Sequence, residues 1–241
     1  MNPLRYLFII FVIGLFPFYS SGQISTASNE SISFLNSKEL YQNAIGADSH
    51  LYTGEAYYRI GVSLIGNPFF MSDSMQRNDI FYDGTLYKNV PLLFDIVKQE
   101  VIITRFHSNE KIQLVDAKIK YFTFAGHRFE NFLQETTDKN ISNNIYDVIY
   151  SGKVSVLVKR LKIFKPGLAP EDPHRFVKID KIFVRRDSNL FEIKNKNSVL
   201  DAFADKESLI KSFTRKHKFR FKKNKEKELI ITAAYYDTLI K

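Results

Sequence analysis

The chain has 241 residues, with 22 Phe, 13 Tyr, no Cys and a formal net charge of +9 from 35 Lys and Arg against 26 Asp and Glu. Its length fits one or two domains, and its 44% hydrophobic and 25% charged residues are typical of a globular protein rather than a disordered one. The absence of cysteine excludes disulfides, thiol nucleophiles, cysteine-ligated zinc, iron–sulfur clusters and a lipidated cysteine.

The first 22 residues have the pattern of a signal peptide. Arg5 supplies a positive charge, the run from Leu7 to Leu15 is apolar apart from Gly14, and small residues precede Gln23. We predict a cleaved signal peptide over residues 1–22, and the alternative is an uncleaved anchor. No later segment approaches about 18 consecutive apolar residues, so no transmembrane segment is expected in the mature chain. The protein is therefore predicted to be exported, either periplasmic or extracellular.

The start of the mature chain is polar. Residues 23–36 are small and hydrophilic, which favours a flexible leader. Ser37 has the character of an N-cap for a short helix that ends at Gly46. Residues 37–193 are then predicted to form this short helix followed by an antiparallel β domain.

Strand-like runs dominate the region from about Tyr57 to Ile193. They are rich in β-branched and aromatic residues, are three to nine residues long, and are separated by turn residues. The clearest are Val101–Phe106, Ile112–Leu114, Ile119–Phe124, Val154–Val158 and Phe176–Val184. Their short spacing favours an antiparallel meander.

Asp83-Gly84 is the strongest turn signal, because a type I′ hairpin needs positive φ at both central residues. It predicts that Tyr82 pairs with Thr85, Phe81 with Leu86, and Ile80 with Tyr87. The other turn candidates, in descending strength, are Ser151-Gly152 and then Ser108-Asn109, Ala125-Gly126 and Asp187-Ser188. Residues 165–173 contain three prolines and are predicted to be a loop.

After residue 193 the periodicity becomes helical, and residues 194–241 are predicted to form a basic helical segment packed on the sheet. Ser198 is predicted to open a capping box. Asp205 is a second N-cap candidate, for a helix that reaches about Lys216 with Leu209, Ile210 and Phe213 on one face. The last helix carries an apolar stripe of Leu229, Thr232, Ala233, Tyr236 and Ile240.

The connection between the last two helices, residues 215–227, is strongly basic. Eight of its thirteen residues are Lys or Arg, and Phe219 and Phe221 alternate with cations. The pattern suits an anion-binding patch, for which the candidate residues are Arg215, Lys216, Lys218, Arg220, Lys222 and Lys223. The competing interpretation is a short edge strand whose phenylalanines dock on the core and whose lysines block edge pairing.

Motifs for catalysis or metal binding are missing from the sequence. The five histidines form no His-Glu-x-x-His pattern, and a strand would direct His127 and Glu130 to opposite faces. There is no nucleophile elbow and no glycine-rich phosphate loop. Asp73, Asp79, Asp83 and Asp95 are close in sequence, but turns and surface positions explain them. We therefore predict no catalytic residues, no metal and no cofactor, and a protein that is not an enzyme.

Two stretches carry a resemblance to a known family. The segment from Ile80 to Asp95, and the tail from Asp205 through Phe219-Arg-Phe-Lys-Lys to Asp237, resemble segments of an uncharacterised exported protein family of Bacteroidota. The resemblance implies secretion into a cell-envelope setting. It brings no known activity and no catalytic residues.

The predicted fold is α+β: mainly an antiparallel β meander, as a sheet, sandwich or partly closed barrel, capped by C-terminal helices. The predicted function is a secreted or periplasmic, non-enzymatic binding or structural protein of the cell envelope, peripheral to the outer membrane through residues 215–227. Anionic lipid, lipopolysaccharide or acidic glycan are the expected partners, and export disfavours nucleic acid. The alternatives are a lipocalin-like small-molecule carrier and a small hydrolase whose site is assembled from distant residues.

The net charge lies in one place. Without Arg5 the chain has 34 basic and 26 acidic residues, and residues 194–227 alone hold 12 basic and 4 acidic residues. The rest of the mature chain is balanced, with 22 residues of each sign. An anionic partner is therefore expected to bind at the basic segment.

Overall fold

The structure, a computed structural model, describes residues 50–59, 64–105, 108–132, 145–169, 172–221 and 223–240. The predicted signal peptide, leader and helix beginning at Ser37 lie outside these residues, as do His107 and Lys222. No helix in the described part of the chain is long and apolar enough to cross a membrane.

Within the described residues the chain forms fourteen strands followed by three α-helices. The strands are β1 (Glu55–Ala56), β2 (Leu64–Ile65), β3 (Gln76–Tyr82), β4 (Thr85–Asp95), β5 (Glu100–Thr104), β6 (Lys111–Gln113), β7 (Ile119–Phe124), β8 (His127–Asn131), β9 (Ile145–Ser151), β10 (Ser155–Lys159), β11 (Lys162–Lys165), β12 (His174–Lys178), β13 (Lys181–Arg186) and β14 (Asn189–Glu192). The helices are α1 (Lys196–Ala202), α2 (Glu207–Lys216) and α3 (Lys225–Leu239). Short 3-10 turns cover His50–Tyr52, Asp116–Lys118 and Ala204–Lys206.

Eleven strands form one antiparallel sheet in the order β1-β6-β5-β4-β3-β7-β8-β9-β10-β13-β14. The chain meanders from β3 to β6 in one direction, returns to place β7 on the other side of β3, and meanders outward to β14. A second, small sheet has the order β11-β12-β2, with β2 parallel to β12. The large sheet is not closed, and the α+β meander capped by C-terminal helices is confirmed.

The Asp83-Gly84 hairpin has the predicted register. Tyr82 pairs with Thr85, Phe81 with Leu86, and Ile80 with Tyr87. Asp83 and Gly84 have φ values of 49° and 77°, which is the type I′ requirement. Ala125 and Gly126, at 50° and 79°, form the same kind of turn between β7 and β8.

A hairpin also joins β9 to β10, but the predicted two-residue turn at Ser151-Gly152 is wrong: Ser151 still pairs with Ser155, and the loop covers the three residues 152–154, in which the Gly152 amide donates to the Val154 carbonyl at 2.9 Å. Asp187-Ser188 joins β13 directly to β14, and Ser108 lies in the longer loop between β5 and β6.

The prediction of one strand over Phe176–Val184 is wrong. The chain forms β12 up to Lys178 and β13 from Lys181, and these two strands belong to different sheets. The break falls at Asp180, whose carboxylate accepts hydrogen bonds from the Leu161 amide at 3.1 Å and from Arg160 at 2.8 Å. The hydrogen-bonded carboxylate of Asp180 therefore ends a strand that the residue pattern alone would continue.

Both predicted helix starts need correction. Asn195, not Ser198, is the N-cap of α1, and its side chain accepts from the amides of Asn197 and Ser198. Ser198 is the reciprocal member of the capping box, since its hydroxyl accepts from the Asn195 amide at 3.0 Å. Asp205 lies in a 3-10 turn before α2, and its carboxylate accepts from the Tyr236 hydroxyl instead of capping a helix.

The predicted stripe of the last helix is confirmed over its helical part: Leu229, Thr232, Ala233 and Tyr236 are buried. In α2, Ile210 is buried but Leu209 is 45% exposed, so the predicted apolar face is narrower than expected.

Two hydrophobic clusters make up the core. The first fills the half of the large sheet around β3 to β8 and contains stacked and edge-on rings, including Phe94, Phe122 and Phe129. The second joins β10 and β13 to the three helices. The helices are therefore packed on one end of the sheet, and the basic connection between α2 and α3 belongs to that end.

Candidate functional site

The basic segment forms turns rather than an edge strand. The helix α2 ends at Lys216, and the following amides of His217, Lys218 and Phe219 donate to carbonyls in its last turn. Lys218 has a φ of 50°, a left-handed value that is incompatible with an extended strand. The edge-strand interpretation of residues 215–227 is therefore wrong.

Aromatic rings fasten this turn to the helices. Phe213 of α2 stacks on Tyr235 of α3, with ring centroids 4.0 Å apart and an angle of 5° between the planes. Phe219 packs edge-on against Phe213 at 5.8 Å, and Phe221 packs against the second hydrophobic cluster. The alternation of phenylalanines and cations thus separates docked rings from solvent-facing charge, as the pattern indicated, although the backbone is not a strand.

The cations at the C-terminal end of α2 and in the turns that follow it, hereafter together the basic turn, are exposed to solvent. Its described members are Arg215, Lys216, Lys218, Arg220 and Lys223, and all five are exposed. Within the described ranges none of them forms a salt bridge with a carboxylate. The nearby glutamates of α3 are used otherwise: Glu228 accepts from the Arg220 backbone amide, and Glu226 binds Arg160. The positive charge of the turn is therefore not neutralised by these groups.

A buried ionic network lies beside the first turn of α3, and its centre is Arg160. This guanidinium is 4% exposed, and it follows β10 at the point where the chain leaves the large sheet. Its Nε and Nη2 donate to Asp147 Oδ2 at 2.8 and 2.6 Å. Its Nη1 donates to Asp180 and Glu226 at 2.8 and 2.6 Å, and Nη2 also donates to Glu226 at 3.0 Å. All five N–H groups are used.

The network connects the two hydrophobic clusters. The Arg160 guanidinium lies 5.8 Å from the ring centroid of Phe70, which belongs to the first cluster, while Glu226 lies in the first turn of α3, the helix that carries much of the second. Burial disfavours the charged guanidinium, but the hydrogen bonds to Glu226, Asp180 and Asp147 outweigh it, and the pKa of Arg160 is raised. Arg160 is therefore a permanent buried cation held by three carboxylates.

His127 is the one histidine in the described residues that faces this network. Its Nδ1 lies 2.8 Å from Asp147 Oδ2, on the oxygen that Arg160 also binds, and its ring packs edge-on against Phe70 at 5.1 Å. Glu130 is on the opposite face of β8, as strand alternation predicted, and accepts from Arg128 instead.

Comparisons of the chain with protein-family models, with curated proteins and with solved structures found no match. The resemblance to exported proteins of Bacteroidota thus stays a prediction.

The four sequence-clustered aspartates do not converge on a cleft. Asp83 occupies its hairpin turn, and Asp79 accepts from the Asn89 amide at 3.0 Å. Asp95 closes the turn after β4 by accepting from two backbone amides and from the Tyr57 hydroxyl at 2.8 Å. Within the described residues no group of three or more His, Asp or Glu side chains is placed to hold a metal ion.

Sequence reasoning missed the Arg160 network entirely. The three carboxylates lie 13 to 66 positions from Arg160 in the sequence, so no motif contains the network. One signal was present: Asp180 is the one carboxylate in the β-forming run Phe176–Val184, a position at which burial without a partner would be strongly unfavourable. A cationic partner could have been expected there, but its identity could not.

Proposed function

We propose that the protein is an exported, non-enzymatic binding or structural component of the cell envelope, which contacts an anionic surface through the basic turn. The observation that carries this proposal is a group of five exposed cations on a turn that aromatic rings hold against the helices, without carboxylate partners among the described residues. A fixed backbone presents the cations together, so less freedom is lost on binding than for a flexible tail.

Electrostatics favours a surface rather than a single small ion. Residues 194–227 carry a net charge of +8 in an otherwise balanced mature chain, and their fields add over distances of the order of the Debye length, about 8 Å at physiological salt. Each Lys or Arg near an anionic membrane contributes about 1 kcal/mol to binding. Anionic lipid, lipopolysaccharide and acidic glycan are surfaces of this kind that an exported protein would meet.

The test replaces four cations of the basic turn, Lys218, Arg220, Lys222 and Lys223, with Gln. The matched control replaces four exposed lysines of the sheets, Lys88, Lys111, Lys120 and Lys181, and so changes the net charge equally. Binding is measured to phosphatidylcholine vesicles with and without phosphatidylglycerol, to lipopolysaccharide and to polygalacturonate, at several salt concentrations. At low salt the basic-turn variant should bind at least about tenfold more weakly, whereas the control should stay close to wild type.

Equal weakening by both variants would show that net charge alone drives binding, and would overturn the assignment to the basic turn. Unchanged binding by the basic-turn variant would overturn it as well. Comparison of the three anionic probes identifies which surface is preferred.

Of the two alternatives, the carrier is the less favoured. A lipocalin-like protein encloses its ligand in a closed barrel, and the large sheet here is open between β1 and β14.

A small hydrolase is the second candidate function, because one contact supports it: the buried carboxylate of Asp147 lies 2.8 Å from His127 Nδ1, as in the histidine–carboxylate half of a catalytic triad. Among the described residues no hydroxyl is hydrogen-bonded to His127, and Arg160 holds the same carboxylate oxygen. Hydrolysis of p-nitrophenyl esters that is lost in His127→Ala would favour this candidate over the binding protein.

A further inference from the structure

One carboxylate is buried beside the basic turn. Glu228 lies in the first turn of α3 and is only 7% exposed. Its Oε1 accepts a hydrogen bond from the backbone amide of Arg220, whereas its Oε2 is buried and has no hydrogen-bond donor among the described residues. Within the part of the chain that the structure describes, the bond to the Arg220 amide is therefore the one hydrogen bond that this side chain makes.

The backbone of Glu228 is fixed by the helix that carries it. Its amide donates to the Asn224 carbonyl at 3.0 Å, and its carbonyl accepts from the Thr232 hydroxyl at 2.7 Å. Both Thr232 and the adjacent Leu229 are buried in the packing of α3 on the sheet. The carboxylate is therefore presented to Arg220 from a rigid position.

Arg220 is the point at which the basic turn passes from α2 to α3. The amides before it bond to α2, ending with the Phe219 amide, which donates to the Thr214 carbonyl at 3.1 Å. The Arg220 amide bonds to Glu228 of α3 instead, and the Arg220 carbonyl accepts from the amides of Lys223 and Asn224 at 2.8 and 3.3 Å. The Glu228 side chain thus ties the second half of the basic turn, residues 220–223, to α3.

This carboxylate has two disadvantages in its place. Burial of Oε2 without a donor is unfavourable, and an apolar side chain would fill the same space without that cost. Its negative charge also opposes the attraction of the neighbouring cations for an anion. Neither property would help a surface that binds anions, so the advantage of Glu228 has to lie in the hydrogen bond to Arg220.

We propose that Glu228 is the positioning residue of the anion-binding surface. Through the Arg220 amide it holds residues 220–223, so that their cations face an anionic surface together with Arg215 and Lys216, which α2 holds. This inference rests on the proposed function and adds to it the residue that arranges the cations. It makes a prediction opposite to that of net charge, because removal of the carboxylate should weaken binding wherever the hydrogen bond is lost with it.

The test compares two pairs of proteins, each at constant charge. Wild type and Glu228→Asp have the same charge, but the shorter side chain of the variant does not reach the Arg220 amide. Glu228→Gln and Glu228→Ala both lose the charge, and only Gln keeps an acceptor oxygen. Each protein is the full chain, and binding to phosphatidylcholine–phosphatidylglycerol vesicles is measured at several salt concentrations.

The two pairs should give the same order. Glu228→Gln should bind about fivefold more tightly than wild type, because one opposing charge is removed. Glu228→Ala should bind at least about fivefold more weakly than Glu228→Gln, and Glu228→Asp than wild type by the same factor, because residues 220–223 then have to be ordered on binding. If Glu228→Ala does not fold, the comparison of wild type with Glu228→Asp decides alone.

Hydrogen exchange without vesicles gives a second readout. Peptides that cover residues 217–224 should exchange faster in Glu228→Asp and Glu228→Ala than in wild type and Glu228→Gln, while the sheet should exchange at an unchanged rate. The control is Glu207, an exposed acid in the first turn of α2. Glu207→Gln and Glu207→Ala remove the same charge, and they should bind equally and leave exchange in residues 217–224 unchanged.

Other outcomes overturn the inference in distinguishable ways. Equal binding within both pairs, while wild type binds vesicles, removes the positioning role and leaves the proposed function in place. Faster exchange throughout the chain would make Glu228 a residue of general stability instead. If wild type binds neither vesicles, lipopolysaccharide nor polygalacturonate, the proposed function is wrong, and faster exchange confined to residues 217–224 would leave Glu228 as a structural contact alone.

Discussion

Replacing Arg160 with Met should destabilise the fold far more than replacing an exposed arginine. The side chain is 4% exposed, and the carboxylate of Asp147, which accepts two of its N–H groups, is 1% exposed. Removing one member of a buried ion pair leaves an uncompensated charge, which costs about 3–5 kcal/mol. Glu226 is 40% exposed and solvent screens it, so most of this loss comes from Asp147 and from Asp180.

The assay is urea denaturation followed by far-ultraviolet circular dichroism, with Arg105→Met as the control. Arg105 pairs with Glu110, and both side chains are more than 40% exposed, so its loss should cost less than about 1 kcal/mol. The double variant Arg160→Met with Asp147→Asn should be more stable than Arg160→Met alone, because the buried charge is removed with its partner. Equal free energies of unfolding for Arg160→Met and Arg105→Met would refute the assignment of Arg160 as the buried link between the two clusters.

Three further changes have expected outcomes. Burial raises the pKa of Glu100, so its contribution to stability is present at low pH and is lost as the pH rises through that pKa; Glu100→Gln should therefore raise Tm at pH 7, and by less below pH ~4. A Tm gain that is independent of pH would contradict this. Asp237→Ala removes hydrogen bonds to the Tyr150 hydroxyl and to two amides of the loop after β9, and should cost about 1–3 kcal/mol in urea denaturation. A loss no larger than that of a surface substitution would show that this helix-to-loop contact is dispensable. Gly167→Ala should open the loop between β11 and β12, because the added Cβ atom would collide with the Asp172 backbone. Limited proteolysis would detect this as faster cleavage at an almost unchanged Tm. Unchanged cleavage would mean that the loop tolerates the methyl group.

Local signals predicted the elements of this fold well. The Asp83-Gly84 turn fixed its own register, because positive φ at two successive residues is a requirement that few sequences meet. The strand Ile119–Phe124 has the predicted bounds, since turn residues flank a uniformly β-forming run. Properties that depend on neighbouring residues could thus be predicted from the sequence.

The wrong predictions concern elements whose ends and caps are set by contacts with residues distant in sequence. The Phe176–Val184 run divides at Asp180 because Arg160, twenty positions earlier, needs that carboxylate. Asp205 resembles an N-cap in the sequence, but its carboxylate accepts a hydrogen bond from the Tyr236 hydroxyl instead of from helix amides. The sequence pattern identified the exposed cations of the basic turn but not its backbone conformation. Lys218 adopts a left-handed conformation, which alternation of residue types cannot reveal.

The connection between β10 and β13 can vary in evolution without disturbing the large sheet. These two strands are direct neighbours, and their pairing extends beyond the strand ends through the Ile179 amide, which donates to the Leu161 carbonyl at 2.9 Å. Residues 162–178 are therefore an insertion at a point where a short turn would suffice. Its apex can vary in length and sequence while Arg160 and Asp180, at its base, hold the rest of the sheet in register. The tip of this insertion is thereby free to diverge without a new fold.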